Sequence, residues 1–216
     1  MKFRYGNILV VITMLCLLAS FSFADLIITE IMDGTLSSGQ PTFVEITNNG
    51  VASVTLENYQ ISINSNGGTT WGTNRTMSEA NGFPATLAPA DSIVVHGNTT
   101  TFRNVWSTDI IPDSKVVYWG SMTVNGNDAV AIRDLGGTVI DIYGVFNQDG
   151  LGQAWEYTDS YANRKNRDYS ATSTWNAAEW NVAPIDSLDG ADAAGHRAVS
   201  NPGYCLPVVM DVFEVK

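Results

Sequence analysis

One pattern constrains this chain more than any other: short runs of β-branched and aromatic residues that stop, repeatedly, at Gly, Asn, Asp or Pro. Residues 26–31 carry Leu26, Ile27, Ile28 and Ile31. Residues 43–46 carry Phe43, Val44 and Ile46 and end at Asn48, Asn49 and Gly50, which favour turns and left-handed backbone. Further strands are predicted at 51–56, 59–63, 92–96, 115–119 and 206–215, and residues 102–106 read as a helical turn. No stretch keeps an amphipathic helical period through three turns, so the predicted fold class is all-β, a sandwich.

The clearest local unit is 125–145. Two β-rich runs flank Asp134, Leu135, Gly136 and Gly137, where the glycines supply the positive φ of a short hairpin loop. Asp141 lies between Ile140 and Ile142, and strand alternation points it to solvent. Periodicity disappears in residues 65–84, which read as an excursion over one end of the domain. It disappears again after Val145, where Trp155, Tyr157, Trp175 and Trp180 punctuate polar residues. Large aromatic surfaces usually serve packing, so these four are expected to close the sandwich; the alternative is a stacking platform for a sugar ring.

The amino terminus has Lys2 and Arg4, an apolar run over 8–18 and the Ser22-Phe23-Ala24 site, a secretory signal that predicts cleavage after Ala24. The apolar run is shorter than the roughly 20 residues of a membrane span. Cleavage removes two of 11 basic residues and none of 22 acids, so 9 − 22 gives −13, more acidic than the −11 of the whole chain. A field of that sign repels phosphates and anionic membranes, which excludes nucleic-acid binding through a basic patch. Of Cys16 and Cys205 only the second survives cleavage, so no intrachain disulfide is expected and the core must carry the stability.

Catalytic motifs are missing. No Gly-x-Ser-x-Gly run exists, and no Lys follows a Gly as a phosphate loop requires. His96 and His196 are the only histidines and read as loop or edge residues rather than zinc ligands. Glu156 and Asp159 are followed closely by Arg164, Lys165 and Arg167, which favours structural ion pairs over acid–base work. Arg164 paired with Glu156 is the expected partly buried anchor. No cofactor is required by the sequence. The one candidate is calcium at Asp186, Asp189 and Asp192, with Asn125, Asn127 and Asp128 as a second oxygen-rich turn; neither matches an EF-hand spacing.

Several of these stretches, in this order, resemble the lamin tail domain. They are residues 28–32; residues 43–48; Val54, Thr55, Leu56, Glu57, Asn58 and Tyr59; Leu87, Ala88 and Pro89 before Ile93; and Asn127, Asp128, Ala129 and Val130 with Gly137, Val139, Ile140 and Asp141. Gly152, Ala154, Trp155, Ala162, Arg164, Trp175, Glu179, Trp180, Asn181, Gly195 and His196 look like the version attached to secreted bacterial nucleases. The resemblance implies an immunoglobulin-like β-sandwich with long irregular, aromatic-rich excursions, over residues 25–200 between the signal at 1–24 and a tail or further module at 201–216. It implies no activity of its own, because the family's nucleases keep their chemistry in a separate domain. The expected role is a non-enzymatic binding or scaffolding module, secreted or at a bacterial cell surface, with a protein or glycan partner; the alternatives are a non-catalytic accessory module of an extracellular nuclease or other hydrolase and sugar binding through Trp155, Trp175 or Trp180. Open sheet edges leave room for a dimer.

Overall fold

The structure is a computed structural model and describes residues 26–122, 124–166 and 169–203. The expected signal segment and the strand expected over 206–215 lie outside the described residues. Twelve strands form: β1 Leu26–Leu36, β2 Gln40–Asn48, β3 Val54–Thr55, β4 Tyr59–Asn64, β5 Thr73–Thr76, β6 Thr86–Leu87, β7 Ser92–His96, β8 Val116–Tyr118, β9 Ala129–Asp134, β10 Val139–Tyr143, β11 Tyr161–Arg164 and β12 Trp180–Val182. Two short helices, α1 Thr99–Val105 and α2 Ala193–Val199, complete the described elements apart from 3-10 turns.

A six-stranded sheet in the order β12-β11-β1-β2-β7-β8 faces a four-stranded sheet in the order β10-β9-β4-β5, and β3 pairs β6 at the side. All pairings are antiparallel except β7 with β8. Between the sheets lies one apolar core, with Ile28, Ile31, Val44, Ile46 and Val95 from the first and Ile61, Ile63, Val130 and Ile132 from the second. The first sheet is buried on its outer face too. Met32, Phe43 and Val94 meet Phe102, Val105 and Trp106 of α1 and its C-cap, with Ile111 and Leu188. That double burial explains why β2 and β7 read as continuous apolar runs rather than clean alternations.

The imperfect alternation of β1 has a specific cause. Its pairing with β2 shifts by one residue between Ile28 and Glu30, so Leu26 and Ile28 point inward before the shift and Ile31 after it. Glu30 then sits opposite Glu45 on the outer face, both almost fully buried. A chain of hydroxyls ends on Glu45: Ser92 and Thr47 are 2.8 Å apart, Thr47 and Thr29 2.8 Å, and Thr29 Oγ1 donates to Glu45 Oε1 at 2.5 Å. Gly203 N donates to the other carboxylate oxygen. Burial, aided by the nearby Glu45 charge, pushes Glu30 well up, and burial pushes Glu45 up to about 7 against the Thr29 and Gly203 hydrogen bonds.

Three local expectations change. The excursion over 65–84 contributes β5, a polar edge strand on β4, where one free side makes apolar alternation unnecessary. The strand expected at 51–56 shrinks to β3 because Leu56–Asn58 turns as a 3-10 segment. The helical turn at 102–106 starts earlier, where Asn98 Oδ1 accepts from Thr101 N at 3.0 Å and caps α1. Among the described residues no helix is long and apolar enough to cross a membrane.

Candidate functional site

Asp141 is the main correction to the sequence reading, because it is completely buried rather than facing solvent. A second register shift, between Val139 and Asp141, sets Asp141 opposite Ile132 and Tyr143 opposite Val130, so both turn toward the core that Ile132 and Val130 occupy. There Asp141 meets Arg164 from the other sheet. Arg164 Nη2 donates to Asp141 Oδ1 and Oδ2 at 2.9 and 2.8 Å, Nη1 to Glu179 Oε2 at 2.8 Å, and the guanidinium lies 5.0 Å from the Trp180 ring centre. Burial pushes Asp141 up to about 6 against the pull of Arg164 and the Ile28 and Thr172 N–H groups.

The expected Arg164–Glu156 pair does not form. Glu156 instead accepts from Gly152 N at 2.7 Å and Thr158 Oγ1 at 3.0 Å, fastening its own loop. Arg164 is fully buried rather than partly so. Adjacent in the chain, Arg167 and Asp168 lie outside the described residues.

The four aromatics come together around a fifth, Tyr143, which no sequence signal singled out. Tyr143 makes edge-on contacts with Trp155, Tyr157, Trp175 and Trp180 at centroid distances of 6.4, 5.3, 6.3 and 4.7 Å, and its hydroxyl donates to Trp155 O at 2.8 Å. Trp155, Tyr157 and Trp180 are buried and Trp175 is half-buried. The Trp155 ring also presses on Gly150, where a Cβ would come within 2.6 Å of it. No face of Trp155 or Trp180 is open to a sugar.

The histidines are buried rather than loop or edge residues. His96 lies parallel to Phe102 with ring centres 4.6 Å apart, and burial with Arg103 nearby lowers it to about 4. His196, on α2, accepts from Thr35 N at 3.1 Å through Nε2, while Nδ1 faces Asp192 O at 2.9 Å. Asp192 caps α2, its Oδ1 accepting from Gly195 N at 2.9 Å, so the three acids expected to hold calcium are not gathered around one point. Among the described residues no three His, Cys, Asp or Glu side chains form a group able to hold a metal ion.

Unspent polarity concentrates elsewhere, at the end of the sandwich where the loops 64–68, 125–128, 147–150 and 156–159 meet. Gly150 N donates to Asn127 O at 3.0 Å, Tyr157 N to Gly126 O at 2.8 Å, and Asn127 Nδ2 to Asp149 Oδ1 at 2.8 Å. Gly126, at φ 86°, lies so close to Thr158 that a Cβ would come within 2.1 Å of its Cα. Asp33 reaches this end from β1 and accepts from Asp159 N at 3.1 Å. Burial is the main reason that Asp33 rises to about 7 and Asp128 to about 6, with neighbouring acids adding to both. An open pocket of about 470 Å³ lies alongside, lined by Asp33, Gln40, Thr42, Asn125, Thr158 and Asp159 among others.

Two facing sheets, antiparallel apart from one edge pairing, with their loops closed by aromatics, define the class: an all-β, immunoglobulin-like sandwich. The chain belongs to the lamin tail domain family, whose sequence pattern matches residues 19–147, more than half of its length. Among solved structures it is similar to a DUF4876 family protein from Bacteroides thetaiotaomicron VPI-5482, at 15% identity and a TM-score of 0.43, with 78% of this chain and 74% of that chain covered. No curated protein matches it.

Proposed function

We infer that this chain is a non-catalytic binding or scaffolding module that acts outside a bacterial cell or at its surface. The observation that carries this reading is the use to which its reactive side chains are put. Arg164, Asp141 and Glu179 tie the two sheets, Glu45 ends a buried hydroxyl chain, and both histidines are enclosed by packing. Catalysis needs such groups aimed at a cleft, whereas here they are spent on holding a rigid frame. What the frame offers to partners is its acidic surface and the outer edges of β8, β12, β5 and β10. The amino-terminal signal sequence supports export.

Two measurements test the reading. Purified protein incubated with DNA, RNA and simple esters in magnesium or calcium is expected to leave all of them intact; robust cleavage of any would overturn the non-catalytic role and favour a hydrolase. Mass spectrometry of the protein expressed in a bacterial host is expected to find it exported and beginning at Asp25, and retention in the cytoplasm with residues 1–24 attached would remove the extracellular setting.

A further inference from the structure

A row of six carboxylates crosses the loop end of the sandwich: Asp149, Asp128, Asp33, Asp159, Asp186 and Asp189. Asp128 feels the charge of Asp149, Asp33 that of Asp128 and Asp159, and Asp159 that of Asp186 and Asp189. Among the described residues the side-chain ion pairs are Arg103–Asp113, Lys115–Asp91, Arg164–Asp141 and Arg164–Glu179, and none reaches this row. Of the six only Asp33 and Asp128 are buried, and like charges held near each other away from water repel strongly unless a cation offsets them.

A second observation points inward from the row. Asp128 is 1% exposed; Asn66 N donates to its Oδ1 at 2.8 Å, while its buried Oδ2 has no partner of proper geometry, although the Asn125 N–H leans toward the carboxylate. Tyr157 is 0% exposed and its hydroxyl has no partner of proper geometry, although the Gly126 N–H leans toward it. That hydroxyl lies within electrostatic reach of both Asp128 and Asp33. Two buried oxygens without a partner of proper geometry and a second carboxylate therefore lie within electrostatic reach of one another at this end of the sandwich, and buried oxygens left without partners mark the place of a water or an ion.

Every ligand atom there is a hard oxygen. Calcium accepts irregular sets of carboxylate and neutral oxygens completed by water, whereas magnesium demands a near-ideal octahedron. We propose that Asp33, Asp128 and the Tyr157 hydroxyl frame a calcium site at the loop end of the sandwich, reached through the 470 Å³ pocket that Asp33 lines. Water entering by the pocket completes the shell. Two carboxylates suit the weak extracellular class of site, with Kd on the order of 10⁻⁴–10⁻³ M. Binding would fasten the loops carrying Asp128 and Tyr157 to β1.

The test uses the full chain stripped with EDTA and titrated with calcium chloride, read by calorimetry and by melting temperature. A single-site heat and a rise of about 5 °C at 10 mM calcium are expected. Asp128→Asn and Asp33→Asn are each expected to weaken binding at least tenfold, whereas the double change Asp186→Asn with Asp189→Asn keeps it within about threefold, because those two acids stand at the outer end of the row. Tyr157→Phe removes one oxygen and no packing volume, so it reads the site even if an Asp variant fails to fold; a several-fold weaker Kd is expected. No heat and no shift with the unaltered chain would overturn the proposal in favour of a buried water, as would a calcium response undiminished in Asp128→Asn, Asp33→Asn and Tyr157→Phe. An equal response to magnesium would overturn the assignment to calcium.

Discussion

Arg164 and Asp141 together satisfy both backbone groups of Ile28. Asp141 Oδ2 accepts from Ile28 N at 2.7 Å, and Arg164 Nε donates to Ile28 O at 2.9 Å, while the two side chains bond each other. Ile28 borders the shift in β1, where the regular ladder is interrupted. The ion pair therefore bridges the sheets at the point where the first sheet lacks its own bonds.

Removing one partner leaves a buried charge and an unsatisfied backbone group. Asp141→Leu and Arg164→Met are each expected to destabilise by about 3–5 kcal/mol in urea unfolding, and the double variant Asp141→Leu with Arg164→Met by clearly less than the sum. Additive losses would show that the two residues act independently.

Trp155 gives a sharp choice between packing and ligand recognition. Trp155→Ala is expected to cost about 3–5 kcal/mol, because it empties the space between Tyr143 and Gly150. The same change at half-buried Trp175 is expected to cost less than half as much. A Trp155→Ala protein of unchanged melting temperature that had lost a glycan signal would reverse this assignment.

Glu30 and Glu45 set a pH dependence. Both bind a proton more tightly in the folded than in the unfolded chain, so the folded state holds more protons between about pH 4.5 and 7, and stability falls as pH rises through that window. Glu30→Gln removes one charge of the facing pair. It is expected to flatten the decline, shrinking the stability difference between pH 5 and pH 8; an unchanged slope would place the titrating group elsewhere.

His96 works in the opposite direction. Its folded value near 4 lies below the ordinary 6.5, so the unfolded chain takes up the proton first and stability falls as pH drops from 6.5 toward 4. Its ring resonances are expected to stay in the neutral form down to about pH 4 in an NMR titration. His96→Phe keeps the ring stacked on Phe102 and is expected to recover roughly 1–3 kcal/mol of stability at pH 4.

Strand-rich character, the hairpin within 125–145 and the family were legible in the chain alone, because these follow from local propensity, turn chemistry and ordered motifs. Alternation failed at Asp141, since a one-residue shift in register reverses every side chain beyond it and leaves no trace in composition. The partners of Arg164 were likewise invisible: the nearby Glu156 was the closer acid in the chain, but Asp141 and Glu179 were brought to it by the stacking of two sheets. The inward acids Asp33 and Asp128 lie 95 residues apart, from 128 − 33, and they come within electrostatic reach of Tyr157 only once the loops close over the end of the sandwich. Which carboxylates tie the two sheets and which turn inward at the loop end was set by the fold, because desolvation acts on position in space and not on neighbourhood in the chain.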